Sequence, residues 1–428
     1  MSKFIISGGQ KLSGEISVKG AKNAALKIIP AAILSEETIT IHNLPAIEDI
    51  GKSFDLLLDL GASVEYQDGT ATISTKNLNK IELLPKLADK FRTSVMFVGP
   101  MLARFGEVKF PHPGGCVIGA GKRPIDLFLE GFRAFGATIL EDGHYYHVQA
   151  KKLKPINYFF STVSVTVTES LMMTACLVEG RSVLHNAAME PEIKALADYL
   201  NSQGAKISGA GTPTIIIEGV KKISAGVYNI IPDRIEAGTF LVAGAITRGD
   251  LIVSNCNPAH LGAVITKLRE AGARVDVLGP DAVRVRGDMR LRAAGISTEE
   301  YPGFPTDMQA QYMALVTQAE GVSLVRENIF ENRFMHVQEL VRMGANIKVD
   351  GSVATVRGPA PLSAAAVMCS DLRASASLVL AALIADGESI LDRVYHMDRG
   401  YERIEEKLRS VGAQISRMGN VFPPKEDE

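Results

Sequence analysis

Residues 114–124 read GGCVIGAGKRP and set one thiol, Cys116, among glycines at 114, 115, 119 and 121, with Lys122 and Arg123 close behind. Glycines open the backbone to conformations closed to other residues, and so Gly-rich a run is expected on the surface. Nearby cations favour the thiolate, which makes Cys116 a candidate nucleophile and proton donor or acceptor. The competing reading is a surface turn with an incidental cysteine. A second set of polar residues opens helical segments whose bodies are apolar. These are Lys22 and Asn23, Arg92, Ser164, Asp233 with Arg234 and Glu236, Asp307, and Asp371 with Arg373. Asp233, Asp307 and Asp371 suit helix caps. Lys22 and Arg92 do not, because the helix dipole disfavours a cation there. They predict an anionic partner, which free N–H groups at a helix N-terminus also bind. His112 precedes the Cys116 stretch and is as well suited to a structural role. His144 and His147 lack a carboxylate of ligand spacing, so no metal site is expected. Gly8-Gly9 and Gly209–Gly211 lack the strand-turn-helix context of a nucleotide fingerprint, and no cofactor is implied.

These residues need a frame, and the sequence supplies one by repetition. An amphipathic helical pattern ending in Gly-Ala and followed by a strand pattern recurs six times, with glycines at 61, 136, 204, 272, 344 and 412. Each glycine falls where a helix should stop in a left-handed backbone. Between these lie six helical segments of another kind, such as KNAALKIIPAAILSEE, TVTESLMMTACLVEG and DLRASASLVLAALIADG. They are rich in Ala, Ser, Met and Val on every face, which predicts burial. Pro30 and Pro100 should kink two of them. The expected architecture is α/β, with six helix-strand-helix-strand-strand units divided three and three between two domains. The boundary is expected near Tyr228–Pro232.

Composition narrows the class. A chain of 428 residues with 46% hydrophobic content can build two cores. Its net charge of −2 gives no basic field for nucleic acid or anionic membranes. The four cysteines are scattered without a CxxC pair, so reduced thiols are expected, with Cys176 and Cys369 in the core. The first residues hold no long apolar stretch, and the longest apolar runs are too short to span a bilayer. A cytoplasmic protein is expected.

Long motifs then carry a resemblance. They are KGAKNAAL, RTSVMFVGP, the Cys116 stretch, Val163–Val165, PDRIEAGTFLVA, FPTDMQAQ, FENRFMHV, DLRASASLVLA and YHMDRGYERIE, spread from Lys19 to Glu405. Together they resemble the UDP-N-acetylglucosamine enolpyruvyl transferases (1-carboxyvinyltransferases) of bacterial peptidoglycan synthesis. The resemblance implies transfer of the enolpyruvyl group of phosphoenolpyruvate to the 3′-hydroxyl of UDP-N-acetylglucosamine, with release of phosphate. It implies a two-domain inside-out α/β barrel, here residues 22–230 and residues 1–21 with 231–428, and a site in the cleft between. By position Cys116 matches the family's active-site cysteine and Asp307 its candidate base, with Lys22 and Arg399 beside them. Phosphoenolpyruvate contacts match Lys22, Asn23, Cys116, Arg123 and Arg399. The UDP-sugar site matches Arg92, Arg123, Pro124, Ile125, Asp126, Leu127, Thr162, Val163, Ser164, Val165, Asp307 and Ile329. Support is expected from Glu190, Asp233, Arg333, Asp371 and Arg373. Cys116 is the residue expected to take the epoxide phosphonate fosfomycin.

Three departures accompany the match: Gly121-Lys122 resembles an insertion, Thr162 stands where a lysine is common, and Met189 replaces a frequent arginine. The first leaves Lys122 and Arg123 both open to the family's arginine role. The nearest rival enzyme is the shikimate-pathway enolpyruvyl transferase, against which Lys22-Asn23 and Cys116 argue. A regulatory paralogue that binds UDP-sugar without turnover is the rival from another class; Cys116, Asp307 and Arg399 argue against it.

Overall fold

The computed structural model of the protein describes residues 2–88, 92–112 and 125–420. The apolar segments form six helices: α1 (Lys22–Ala31), α2 (Val98–Phe105), α3 (Val165–Ala175), α4 (Arg234–Ile246), α5 (Gln309–Val316) and α6 (Leu372–Ala382). Every residue of α5 and α6 is buried, and all of α4 except Arg234. Burial on every face needs small residues where helices meet. A Cβ on Gly99 of α2 would lie 2.7 Å from the Ser170 carbonyl oxygen of α3, so any larger residue would push the two apart. Both prolines lie where the helical type changes. Pro30 lies at the end of α1, which passes into a 3-10 turn at Ala32–Leu34. The second segment starts as a 3-10 stretch, Arg92–Phe97, and Pro100 falls in the first turn of α2.

The amphipathic segments form the helices Glu48–Leu60, Ile125–Ala134, Pro191–Ser202, Gly262–Glu270, Val337–Arg342 and Ile404–Ser410. The glycine after each has φ between 90° and 104°, a backbone that side chains resist. The next alanine then donates its N–H to the carbonyl five residues back, from Ala62 to Leu57 and from Ala413 to Leu408, and likewise at the other four. One closure, repeated six times, turns each helix into its strand.

The strands form six sheets, five of four strands and one of three. In each four-stranded sheet one edge strand runs parallel to its neighbour and the other pairs are antiparallel. In the three-stranded sheet, Glu107–Pro111 with Tyr145–Gln149 and Thr138–Glu141, that edge is a single parallel bridge from Glu82 to Lys109. Two edges and one centre come from far along the chain. Val227–Asn229 lies parallel to Ile39–His42. The strand β1 (Lys3–Ser7) fits between Glu388–Asp392 and Gln414–Met418, and β2 (Ser13–Ser17) lies parallel to Asp250–Ser254.

Two apolar clusters result. One is built from buried residues between Ala21 and Ile230. The other takes Phe4–Val18 from the start of the chain and Ile235–Ile415 from the rest. The chain passes between them twice at one place, where Ala21 N donates to the Ile231 carbonyl at 2.7 Å and Asp233 N to the Lys19 carbonyl at 2.9 Å. A Cβ on Gly20 there would sit 1.8 Å from the Asn43 carbonyl oxygen, so only glycine fits the crossing. No helix among the described residues is long and apolar enough to cross a membrane.

Candidate active site

The polar residues that open α1, α4, α5 and α6 meet between the two clusters. Asp233 caps α4, accepting from Ile235 N and Glu236 N at 2.8 and 3.0 Å, and its second oxygen takes Lys22 N at 3.0 Å. Asp371 caps α6 through Arg373 N and Ala374 N, both at 2.9 Å. Ser164 caps α3 through Val167 N. The capping expected of Asp233 and Asp371 is therefore present, and Asp307 departs from it. Asp307 sits in the 3-10 turn Thr306–Met308 ahead of α5 and caps nothing. Its carboxylate accepts from Arg333 Nη2 at 2.7 Å and Arg373 Nη2 at 2.8 Å, and Asn23 Nδ2 reaches it from the other cluster at 3.4 Å. Burial opposes charge on this carboxyl, yet Arg373 and Arg333 outweigh it and hold it well below the usual carboxylate range. Arg333 also donates to Thr306 Oγ1 at 2.6 Å. Glu327 accepts from that hydroxyl and from Ile329 N, which ties Ile329 to the same turn.

Lys22 does have an anionic partner, and it belongs to the protein. Asp49, in the first turn of Glu48–Leu60, lies 2.8 Å from Lys22 Nζ and accepts from Arg399 Nε at 3.1 Å. Burial lowers the pKa of the Lys22 ammonium in spite of Asp49. Burial would raise the Asp49 carboxyl, but Lys22 and Arg399 hold it below its ordinary value. Lys27, one turn after Asn23, donates to the Asn23 carbonyl at 2.7 Å and stands 3.5 Å from the fully buried Glu169. Burial pushes Glu169 up to about 8, with Lys27 pulling against it.

A second ionic contact bridges the clusters nearby. Arg234 donates to Glu192 from Nε at 3.0 Å and Nη2 at 3.3 Å, with the side chains 10% and 3% exposed. Its guanidinium lies over Tyr301, whose N–H donates to Glu190 at 3.4 Å. Glu402 accepts from Ala46 N at 2.8 Å, again from one cluster to the other.

The structure thus brings together Lys22, Asn23, Asp233, Asp307, Arg333, Arg373 and Arg399, with Asp371 at the head of α6. Ile125, Asp126 and Leu127 begin the helix Ile125–Ala134, and Thr162, Val163, Ser164 and Val165 lead into α3. Among the described residues these share no hydrogen bond or ion pair with Asp307. Cys116, Lys122, Arg123 and Pro124 lie outside the described residues, as does the side chain of Arg92. His112 stacks on Tyr146 at 4.4 Å and stands 3.4 Å from Glu141. Cys176, Cys256 and Cys369 are buried. Sequence reasoning missed Asp49 and Glu192. An acid in a first helical turn looks like an ordinary match to the dipole, and nothing local marks Asp49 as the partner of a cation 350 residues away.

The sequence model of the EPSP synthase (3-phosphoshikimate 1-carboxyvinyltransferase) family matches residues 6–408. The UDP-N-acetylglucosamine 1-carboxyvinyltransferase of Acidobacterium capsulatum is 59% identical, over 100% of this chain and 98% of its own. That of Koribacter versatilis is 54% identical, over 99% and 98%. Among solved structures, the enolpyruvyl transferase NikO from Streptomyces tendae superposes with a TM-score of 0.87 at 25% identity, covering 97% of this chain and 99% of its own.

Proposed function

The chain belongs to the EPSP synthase family and, within it, to the UDP-N-acetylglucosamine 1-carboxyvinyltransferases, and we propose that the residues between its two clusters divide the chemistry of that transfer. The enzyme moves the enolpyruvyl group of phosphoenolpyruvate to the 3′-hydroxyl of UDP-N-acetylglucosamine and releases phosphate, the first committed step of peptidoglycan synthesis. The observation that carries the division of roles is Asp307, set on one cluster between two guanidiniums and facing Asn23 of the other.

Asp307 takes the proton of the attacking hydroxyl as the hydroxyl oxygen bonds to C2 of phosphoenolpyruvate. The Cys116 thiol gives a proton to C3, which becomes a methyl group, and a tetrahedral intermediate forms. The Cys116 thiolate then takes one proton back from that methyl, the double bond re-forms as the C2–O bond to phosphate breaks, and phosphate leaves with the proton Asp307 had taken. Lys22, Asn23, Arg123 and Arg399 hold the phosphate and carboxylate, and their charge stabilises the intermediate. Arg92, Arg123–Leu127, Thr162–Val165, Asp307 and Ile329 bind the UDP-sugar. Asp233, Glu190, Arg333, Asp371 and Arg373 hold these groups in place. In the arrangement seen here Asp307 is a weak base, because two guanidiniums stabilise its charge. Substrate anions that draw Arg333 or Arg373 away raise its pKa toward the working pH, where a base is most effective. Likewise Asp49 holds Lys22 and Arg399 until a substrate anion competes for them.

The reading includes the two-domain inside-out α/β barrel, with residues 22–230 as one domain and 1–21 with 231–428 as the other. Pairing of Val227–Asn229 with Ile39–His42, and of β2 with Asp250–Ser254, supports it. The first joins the end of one set of three units to its beginning, and the second joins residues 1–21 to the first sheet of the other set. A cytoplasmic location goes with the same reading. Phosphate release tests the function. It is expected with phosphoenolpyruvate and UDP-N-acetylglucosamine together, and not with either alone or with shikimate 3-phosphate as acceptor. Release with the shikimate acceptor, or none with the nucleotide sugar, overturns the reading.

A further inference from the structure

The buried phenol of Tyr401 takes no part in the chemistry above, yet it joins three helices that carry it. Its hydroxyl lies 2.8 Å from Thr239 Oγ1 of α4 and accepts from Gln311 Nε2 of α5 at 3.4 Å. Gln311 Nε2 also donates to Thr239 Oγ1 at 3.2 Å and to the Asp307 carbonyl at 2.9 Å. Thr239 donates its own proton to the Ile235 carbonyl at 2.8 Å. Its oxygen is therefore an acceptor, and the phenol O–H donates to it. The Arg373 guanidinium of α6 lies 6.0 Å from the Tyr401 ring centroid, and Arg373 is one of the two arginines on Asp307. Tyr401 thus reaches Asp307 twice, through Gln311 to its main chain and through Arg373 to its carboxylate.

The backbone at Tyr401 is equally constrained. Tyr401 N donates to the Met397 carbonyl at 2.9 Å. A Cβ on Gly400 would lie 2.4 Å from Leu372 Cδ2 at the head of α6, so the turn that carries Arg399 is wedged against that helix. A phenol suits this place because its ring fills apolar space while its hydroxyl answers a polar group. Phenylalanine would fill the same volume and remove the hydroxyl that Thr239 and Gln311 share.

We propose that Tyr401 is a positioning residue for the enolpyruvyl transfer, its hydroxyl fixing the heads of α4, α5 and α6 so that Asp307 and Arg399 stand in register. The proposal rests on the roles assigned to those two residues above. Tyr401→Phe and Thr239→Val each remove the central bond from one side. In the full chain with phosphoenolpyruvate and UDP-N-acetylglucosamine, each should lower kcat by about tenfold, the effect of one hydrogen bond of ordinary net strength. KM for the nucleotide sugar should stay within about twofold, since Tyr401 is not a binding group. The acid limb of the kcat profile should move to higher pH. A displaced Arg373 holds Asp307 less firmly, while Arg333 and Arg234, the other cations facing it, stay in place. The double variant should lose little beyond either single one, because both break the same bond. Variants that keep the parent kcat and acid limb overturn the proposal, even if they melt at lower temperature, because a purely structural bond would do only that. Should Tyr401→Phe fail to fold, Thr239→Val gives the same reading. A parent enzyme without turnover overturns the assigned function and this proposal with it; an active parent beside unchanged variants overturns this proposal alone.

Discussion

Asp307 is the residue on which the proposed chemistry turns, and its surroundings fix what its loss should do. Asp307→Ala should reduce turnover by ~10²–10⁴-fold, the usual contribution of a positioned base, while UDP-sugar binding changes far less. Turnover within about tenfold of the parent would remove Asp307 from that role. The cysteines separate as sharply. Burial pushes the thiol of Cys176 up to about 12 and those of Cys256 and Cys369 up to about 11, which leaves them unreactive at neutral pH. An epoxide phosphonate that imitates phosphoenolpyruvate should therefore add once, to Cys116, and faster with UDP-N-acetylglucosamine present. Intact-mass spectrometry with peptide mapping reads this, and label spread over several cysteines would count against it. At this scale the sequence was informative where residue type and position at a helix head agree, as at the caps Asp233 and Asp371. It was silent at Asp49, whose importance lies in what the fold brings to it.

The helix ends show which elements were legible. All six Gly-Ala pairs could be read as helix stops because a left-handed backbone leaves a local signature, and each glycine has the positive φ that this requires. The buried helices were legible from their apolar faces. The partner of β1 was not, because its alternating pattern says which side is buried and nothing about which strands flank it. His336, which opens Val337–Arg342, gives a test at the same scale. Burial lowers its pKa from 6.5 to about 4, with Arg333 adding to the effect and Asp371 opposing it. The unfolded chain binds this proton below about pH 6.5 and the folded chain not until about pH 4. Stability from the neutral imidazole is thus complete above that range and lost as pH falls through it, by roughly 3 kcal/mol in all. Denaturant unfolding at about pH 7.5 and about pH 5.5 should show about 1 kcal/mol of this loss in the parent. His336→Gln should remove that part of the slope, and an unchanged slope would show that another group sets it.

At the scale of the molecule, polar contacts cross from one cluster to the other: Arg399 on Asp49, Arg234 on Glu192, Asn23 on Asp307, and Ala46 on Glu402. Such contacts permit relative motion and are remade when a ligand enters. The segments proposed for the UDP-sugar come from both clusters, so its binding should draw them together. Small-angle scattering should then give a smaller radius of gyration with UDP-N-acetylglucosamine than without, and an unchanged radius would exclude closure as the step that assembles the site. The pairing of β1 has a consequence for how the protein is made. This strand leaves the ribosome about 400 residues before the strands on either side of it, Glu388–Asp392 and Gln414–Met418. The cluster from Ala21 to Ile230 is complete while translation continues, and Val227–Asn229 can close it. Throughout that interval Phe4 and Ile6, the buried side of β1, have no sheet to join. The nascent chain therefore carries an unpaired strand until those two strands emerge, open to any wrong edge it meets, and the second cluster is complete only then.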